Sequence, residues 1–460
     1  MRPKVSMSLA GGVLALAAFA APALADTSSR EVQSAVDAYL STSKADASLV
    51  GGAGQAGYDG GFWIRGGSFL LKINLTLQTR WEGFDWDDSA TEPNPGGDLS
   101  GFSLPRATLK FSGDATCDVH YYAELEFGHS GAWYQNETGA DSFTSELYGV
   151  RLAPAGARPR STLSPSELYG TLREGWIEYE TSPYAIFRMG LVKTPTTRQL
   201  MTPPEMQQFV DVSMASAFLG QVMPGYTDRN RDYGAMLHGA FGCDGEWQYM
   251  VTVTNGDGPV HRNVLDGTTS DCFAYAARVN WDIKGHLGYE EGALRSHECE
   301  WAASVGAWGH YYTDHANENP FVKYADRLTW GVDAAFAWGG LSATLAYQAT
   351  DWDAGNGVGL DITGFAYLAQ VGYLFPGTAW EVAARYSYYE GGPDNSEIGG
   401  SEIGVAVNYY IDGHADKVTV DAAFITGEQD GHFLADTYAG YEPTGDGDGV
   451  LIRLQWQLAL

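Results

Sequence analysis

The amino-acid sequence predicts an all-β chain, a transmembrane antiparallel β-barrel of about sixteen strands with short periplasmic turns, long external loops and an in-folded third loop. Three observations predict it. Segments of about ten residues alternate between apolar and polar, the apolar set is nearly uncharged and ends in aromatics, and the connections alternate between short and long.

The N-terminus is read first. Arg2 and Lys4 precede an apolar run over residues 11–24, and Ala23, Leu24 and Ala25 supply the small residues that a signal peptidase needs. That run is shorter than the ~20 apolar residues of a spanning helix. Residues 1–25 are therefore expected to be a signal peptide. Residues 26–60 are expected to form a periplasmic N-terminal helix and a Gly-rich joint, because Val32, Ala35, Val36, Tyr39 and Leu40 recur at helical spacing and glycines crowd 51–61. The outer-membrane barrel is expected over 61–460.

The first strand sets the pattern. Phe69, Leu71, Ile73, Leu75, Leu77 and Trp81 share one face, while Lys72, Asn74, Thr76, Gln78, Arg80 and Glu82 share the other. Alternation returns over 106–113, 119–127, 175–179, 185–191, 233–241, 247–253, 273–281, 301–311, 328–338, 341–349, 365–375, 380–388, 403–411, 418–424 and 450–460. A soluble sandwich would alternate too, but it would put charge on a water-facing side over a packed core. Here the polar face mixes Gly, Ala, Ser and Thr with single charges, as a wet lumen would. Aromatics bracket the apolar faces, as Phe273 and Trp281, Trp330 and Trp338, and Trp380 and Tyr388 do. Eight residues at ~3.3 Å, tilted by ~40°, span roughly 20 Å, close to the ~25 Å apolar band of such barrels. Val279 and Val407 should then face lipid, and Asn408 the lumen.

Connections over 113–117, 181–184, 242–245, 339–340, 376–378 and 412–416 are short, whereas 85–100, 129–170, 194–231 and 427–447 are long. Residues 282–297 break the rule, being long where a short turn is due.

The net charge of −30 argues against nucleic acid or an anionic membrane surface as a partner. Cys117, Cys243, Cys272 and Cys299 show no metal-ligand spacing, and in an oxidising compartment their pairing is left open. The chain contains no G-x-S-x-G, no H-E-x-x-H and no phosphate-cradling Gly loop, so neither catalysis nor a cofactor is expected.

The third external loop, 194–231, contains Met201, Met206, Phe209, Val210, Val212, Met214, Phe218, Leu219, Val222 and Met223. Such apolar content is unfavourable in water. Folding against the inner wall would bury it and narrow the pore, and packing on a neighbouring subunit is the alternative.

Several short motifs now point to one family. Gly61-Phe62-Trp63-Ile64-Arg65, Gly190-Leu191-Val192-Lys193-Thr194-Pro195, Arg231-Asp232-Tyr233-Gly234-Ala235-Met236-Leu237-His238-Gly239 and Val253-Thr254-Asn255-Gly256-Asp257-Gly258 resemble segments of the phosphate-selective porins, the porin O and P family. The resemblance implies a sixteen-stranded channel that forms a homotrimer. Its basic pore ladders transfer only in part, because the inward positions here carry many carboxylates.

The pore-lining, anion-binding candidates are Lys72, Arg80, Arg106, Lys110 and Arg188, with Glu124 and Glu126 beside them. Arg198, Met206, Phe209, Met214, Phe218 and Arg229 are the candidates of the constriction loop. If Phe84 pairs with Phe102, Arg80 falls opposite Arg106. If Ser112 pairs with Asp118, Arg106 falls opposite Glu124 and Lys110 opposite His120. Two adjacent arginines need an anion or a carboxylate between them, and Glu124 is the candidate partner. The expected function is passive diffusion of small hydrophilic solutes across an outer membrane, with weak preference for anions such as phosphate. The alternative is a structural or adhesive surface protein whose acidic loops, with Asp85, Asp87, Asp88, Glu92 and Asp98 in one and Asp430, Asp436, Glu442, Asp446 and Asp448 in another, bind divalent cations.

Overall fold

The computed structural model describes residues 54–86, 99–127, 134–135, 158–159, 171–217, 231–256, 273–294, 301–314, 325–353, 362–393, 399–428 and 447–460. The expected signal peptide and expected N-terminal helix, Phe218, Arg229, Cys272, Cys299 and most of both acidic loops lie outside them. Residues 56–460 belong to one compact unit.

Sixteen antiparallel strands close into a barrel. They are β1 (Phe69–Trp86), β2 (Leu99–Asp114), β3 (Val119–Glu126), β4 (Thr171–Ser182), β5 (Ala185–Lys193), β6 (Arg231–Phe241), β7 (Trp247–Thr254) and β8 (Ala274–Lys284), followed by β9 (Ala302–Asp314), β10 (Ala325–Trp338), β11 (Leu341–Asp353), β12 (Ile362–Leu374), β13 (Trp380–Pro393), β14 (Gly399–Asp412), β15 (Asp416–Glu428) and β16 (Gly447–Ala459). Each pairs with the next, and β16 returns to β1, with Arg453 opposite Glu82 and Gln457 opposite Gln78. A short strand, Phe62–Gly66, pairs with the beginning of β1. Closure leaves no open edge, which is the condition for a sheet to stand in lipid.

Alternation sorts the two faces. Val279 and Val407 are 43% and 41% exposed on the outer wall. The outward aromatics form two belts. Trp247 stacks on Trp281 at 5.2 Å and Trp380 lies against Tyr409 at 4.7 Å near the turns, while Tyr347, Phe365 and Tyr388 adjoin one another near the loops. Such belts anchor a barrel at the two interfaces of a bilayer.

Two registers differ from the sequence expectation. Arg80 lies opposite Ser103, and Gln78 opposite Arg106, because Phe84 pairs with Leu99 rather than Phe102, and an extra residue of β2 beside Pro105 changes the ladder by only one place. Lys110 lies opposite Glu124, and Asp114 opposite His120, because the turn is a four-residue bend over 115–118. Asn408 points inward as expected but is 0% exposed rather than wet. Its surroundings explain why.

Candidate pore constriction

The loop after β5 enters the lumen. It contains one helical turn, α1 (Arg198–Met201), a 3-10 turn at Pro204–Met206, and a second helical turn over 214–217. A segment so irregular cannot satisfy its own backbone, and a buried unpaired amide costs ~1–3 kcal/mol. The barrel wall supplies the partners. Arg198 N–H donates to Asp333 at 3.0 Å, Val210 N–H to Asp421 at 3.1 Å and Met214 N–H to Glu402 at 3.1 Å. The loop carbonyls accept in turn, Thr196 from Arg278 at 2.6 Å, Gln208 from Asn408 at 2.8 Å, Asp211 from Arg385 at 2.8 Å and Glu205 from Gln457 at 2.8 Å. Lys417 donates to the Gln207 carbonyl and Gln348 to that of Ala215.

Those wall carboxylates are fixed by arginines. Arg453 grips Asp421 with bonds of 2.8 and 2.6 Å directly across the ladder, and Arg385 reaches Glu402 at 2.6 Å. Arg278 binds Asp333 through two bonds of 2.7 Å, although the two residues lie on β8 and β10 with β9 between them. Gly306 of β9 leaves that span open, since a Cβ there would lie 2.3 Å from Arg278 Nη2 and 2.7 Å from Asp333 Oδ1. Asp333 and Asp421, held bidentately, and Glu402, gripped through Oε1, each keep a lone pair for a loop amide.

Apolar packing completes the insertion. Leu200, Val212, Met214, Ala215 and Ala217 of the loop bury against Trp308, Leu368, Tyr389, Ile425 and Leu451, all on the inner wall. Phe209 packs on Ala383 and Ala406 beneath the Arg385 guanidinium, 4.2 Å from its ring centre.

Residues 285–294, which follow β8, enter the lumen from the opposite end. Leu287 packs on Ala335 and Ala337, and the Tyr289 hydroxyl accepts from Arg278 at 3.1 Å and Asn280 at 2.7 Å. Glu291 is the joint. Its carboxylate accepts from Gln208 N–H at 2.8 Å and from Gln199 and Gln370 at 3.0 Å, while its own N–H donates to the Met206 carbonyl at 3.0 Å. Replacing Glu291 by alanine removes the acceptor of several buried donors, each worth about a factor of ten in local opening. Amide exchange across 202–217 should therefore accelerate by roughly tenfold or more. Unchanged exchange would mean that the turn does not hold the loop.

The predicted residues fall as follows. Lys72 is exposed at the turn end of β1. Arg80 bonds Gln455 at 3.0 Å and Glu82 at 2.7 Å, and Arg106 bonds Gln78 at 2.6 Å. Both arginines also meet Asp211 of the loop, at 3.5 and 3.1 Å. The carboxylate between them is thus Asp211 rather than Glu124. Glu124 binds Arg173 at 3.0 Å and accepts from Tyr122 at 2.8 Å, while Glu126 accepts the Ala107 N–H at 2.8 Å. Lys110 pairs with Glu205 of the loop. Arg188 pairs with Glu178 at 2.7 Å and lies 3.8 Å over the Trp176 ring. The Arg198 guanidinium donates to the Gly288 carbonyl, and Met206, Phe209 and Met214 lie inside the barrel in the contacts given above.

Sequence reasoning missed Glu205, Asp211 and Glu291, and with them Arg173, Lys193 and Arg231, which flank the loop's entry. Lys193 donates to the Met201 carbonyl at 3.0 Å, and Arg231 to Glu174 at 3.1 Å.

Loop and turn together cover the inner faces of β8–β16, where Arg278, Trp308, Asn408, Lys417 and Arg453 are all buried. On β2–β6 the side chains of Lys110, Arg188 and His238 keep 17%, 18% and 20% of their surface. Among the described residues part of the inner wall on β2–β6 therefore stays accessible, although Arg106, Glu124, Arg173 and Arg231 on the same strands are buried. Among the described residues no cluster of His, Cys, Asp and Glu could hold a metal ion, and Cys117 and Cys243 are exposed free thiols.

The sequence matches the family described as phosphate-selective porin O and P over residues 77–458. It is 26% identical over 172 residues to Porin O of Pseudomonas aeruginosa, a match that covers 30% of this chain and 37% of that protein's length. In fold it is similar to an anion-selective porin from Comamonas acidovorans, with a TM-score of 0.55, 11% identity, and 85% and 99% of the two chains covered. It is also similar to the outer membrane channel DcaP of Acinetobacter baumannii, with a TM-score of 0.51, 11% identity, and 88% and 100% covered.

Proposed function

Since the chain belongs to the phosphate-selective porin O and P family of outer-membrane barrels, we propose that it is a diffusion channel for small hydrophilic solutes with a weak preference for anions such as phosphate. The observation that carries this reading is the loop bonded across the lumen beside a partly exposed basic edge. A sixteen-stranded barrel is wide enough for an aqueous channel, and an insert along one side narrows it without filling it. Lys110 and Arg188 keep surface on the open side, and Arg80 and Arg106 lie at the loop's edge. The neighbouring carboxylates balance much of this charge, which makes the preference weak. The fold and family are those of a channel rather than an enzyme. Its partners are outer-membrane lipids and permeating solutes, with a homotrimer as the assembly that native mass spectrometry in detergent tests.

Current through planar bilayers distinguishes a channel from an adhesive surface protein. Under a salt gradient the reversal potential should have the sign of an anion-preferring pore. Arg106→Glu should move it towards cation selectivity, by an amount that falls in ~1 M salt, where screening acts within ~3 Å. A cation-selective parent, or a variant with an unmoved potential, would remove the anion preference from this reading.

A further inference from the structure

The loop brings its own negative charge into the basic side of the lumen, at Glu205 and Asp211. Their positions follow from the geometry of the insertion. Between Pro204 and Val212 the backbone is pinned to the wall through the Glu205, Gln207, Gln208 and Asp211 carbonyls. The two carboxylates are thereby directed at Lys110 on one side and at Arg80 and Arg106 on the other.

The guanidiniums around Asp211 are not equivalent. Arg385 has Glu402 on its own wall, Arg453 has Asp421, and Arg80 has Glu82. Arg106 donates one bond to the neutral Gln78 and the other to Asp211. Asp211 is thus the carboxylate that Arg106 bonds. Burial pushes the Asp211 carboxyl up, but Arg106, Arg80 and Arg453 outweigh that and hold it below the usual carboxylate range. Burial likewise raises Glu205, and Lys110 more than reverses it.

We propose that Asp211, with Glu205 beside it, is the specificity-determining residue of this channel, a tethered carboxylate seated where a permeating oxyanion would otherwise bind Arg106 and Arg80. Carboxylate and phosphate offer a guanidinium the same pair of oxygens, so small oxyanions compete with Asp211 for one set of donors. The side chain keeps 13% of its surface, which places the contest at the border between loop and open lumen. The weak anion preference proposed above is then an arginine site masked by its own loop, and the inference rests on that reading.

Asp211→Asn tests it with little change of shape, since an amide oxygen still accepts from Val212 N–H. In bilayers under a potassium chloride gradient, the chloride-to-potassium permeability ratio should rise by about threefold or more, because one fixed anion leaves a low-dielectric lumen. Millimolar inorganic phosphate should then reduce chloride current in the variant more than in the parent. Glu205→Gln should shift the ratio in the same direction through Lys110, which keeps the test open if the first variant fails to insert. In an Arg106→Gln background the effect of Asp211→Asn should largely disappear. An unmoved ratio in both single variants, a shift towards potassium, or an equal shift without Arg106 overturns the proposal. A cation-selective parent whose ratio still rises in Asp211→Asn would instead count against the anion preference and leave the masking intact.

Discussion

Deleting residues 206–223 should raise single-channel conductance by roughly twofold or more and admit larger solutes, because a sixteen-stranded barrel without its insert is an open aqueous channel. The same deletion in a soluble core would be ruinous, since it strips partners from buried Glu402, Asn408, Lys417 and Asp421. In the lumen those groups become hydrated as the loop leaves, and each wall carboxylate keeps its arginine. The ~1–3 kcal/mol cost of an unsatisfied buried group therefore largely fails to appear. The hydrogen-bonded ladder between β16 and β1 contains no loop residue, so the barrel should still insert and run as a folded species before heating. Bilayer recordings beside a solute-swelling assay measure the change. Conductance equal to the parent's would mean that the permeation path bypasses this segment.

The second large effect concerns the outer wall. Val407→Arg should cost ~2–4 kcal/mol of barrel stability, the depth-dependent cost of a cation facing the hydrocarbon core. Val279→Arg should behave alike. The control belongs at Gln248, which faces the lumen, stays partly accessible and already donates to Asp282 at 3.2 Å. Arginine there keeps that bond and should cost under about 1 kcal/mol. Asn408, though inward, is no control, because an arginine would have to push the loop away at Gln208 and break the bonds to Glu381 and Thr419. Reversible urea unfolding in lipid vesicles compares the variants. Equal losses at Val407 and Gln248 would mean that the two faces had been assigned the wrong way round.

Alternation alone located the strands and their outward faces, because a period of two is imposed on every residue of a strand between lipid and lumen. Register was not legible. Alternation does not fix where a loop ends, and the pairing of Phe84 with Leu99 rather than Phe102 put Ser103 opposite Arg80. The loop's inward fold was visible in Phe209, Val210, Val212 and Met214, residues too apolar for water. Its docking surface was visible only faintly, in the inward-facing Leu368, Ile425 and Leu451, which interrupt an otherwise polar face. A charge such as Asp421 or Glu402 looks the same in sequence whether it meets water or a loop amide. The turn residues Leu287, Tyr289 and Ala293 lie among charges and glycines without a period, so nothing local marked Glu291 as a joint.

The seam between β16 and β1 is bridged by Gln457 to Gln78 at 2.7 Å and by Arg80 to Gln455 at 3.0 Å, and the inserted loop bonds both sides of it through Val210, Asp211 and Glu205. First and last strands are therefore matched through a third party from the middle of the chain. During biogenesis a barrel zipped shut with that segment outside would lack the clamp at its own seam, whereas one closed around it is stapled there. The ladder alone closes the sheet, and loop entry adds bonds to the same seam, so the insert favours the register in which the two ends have met.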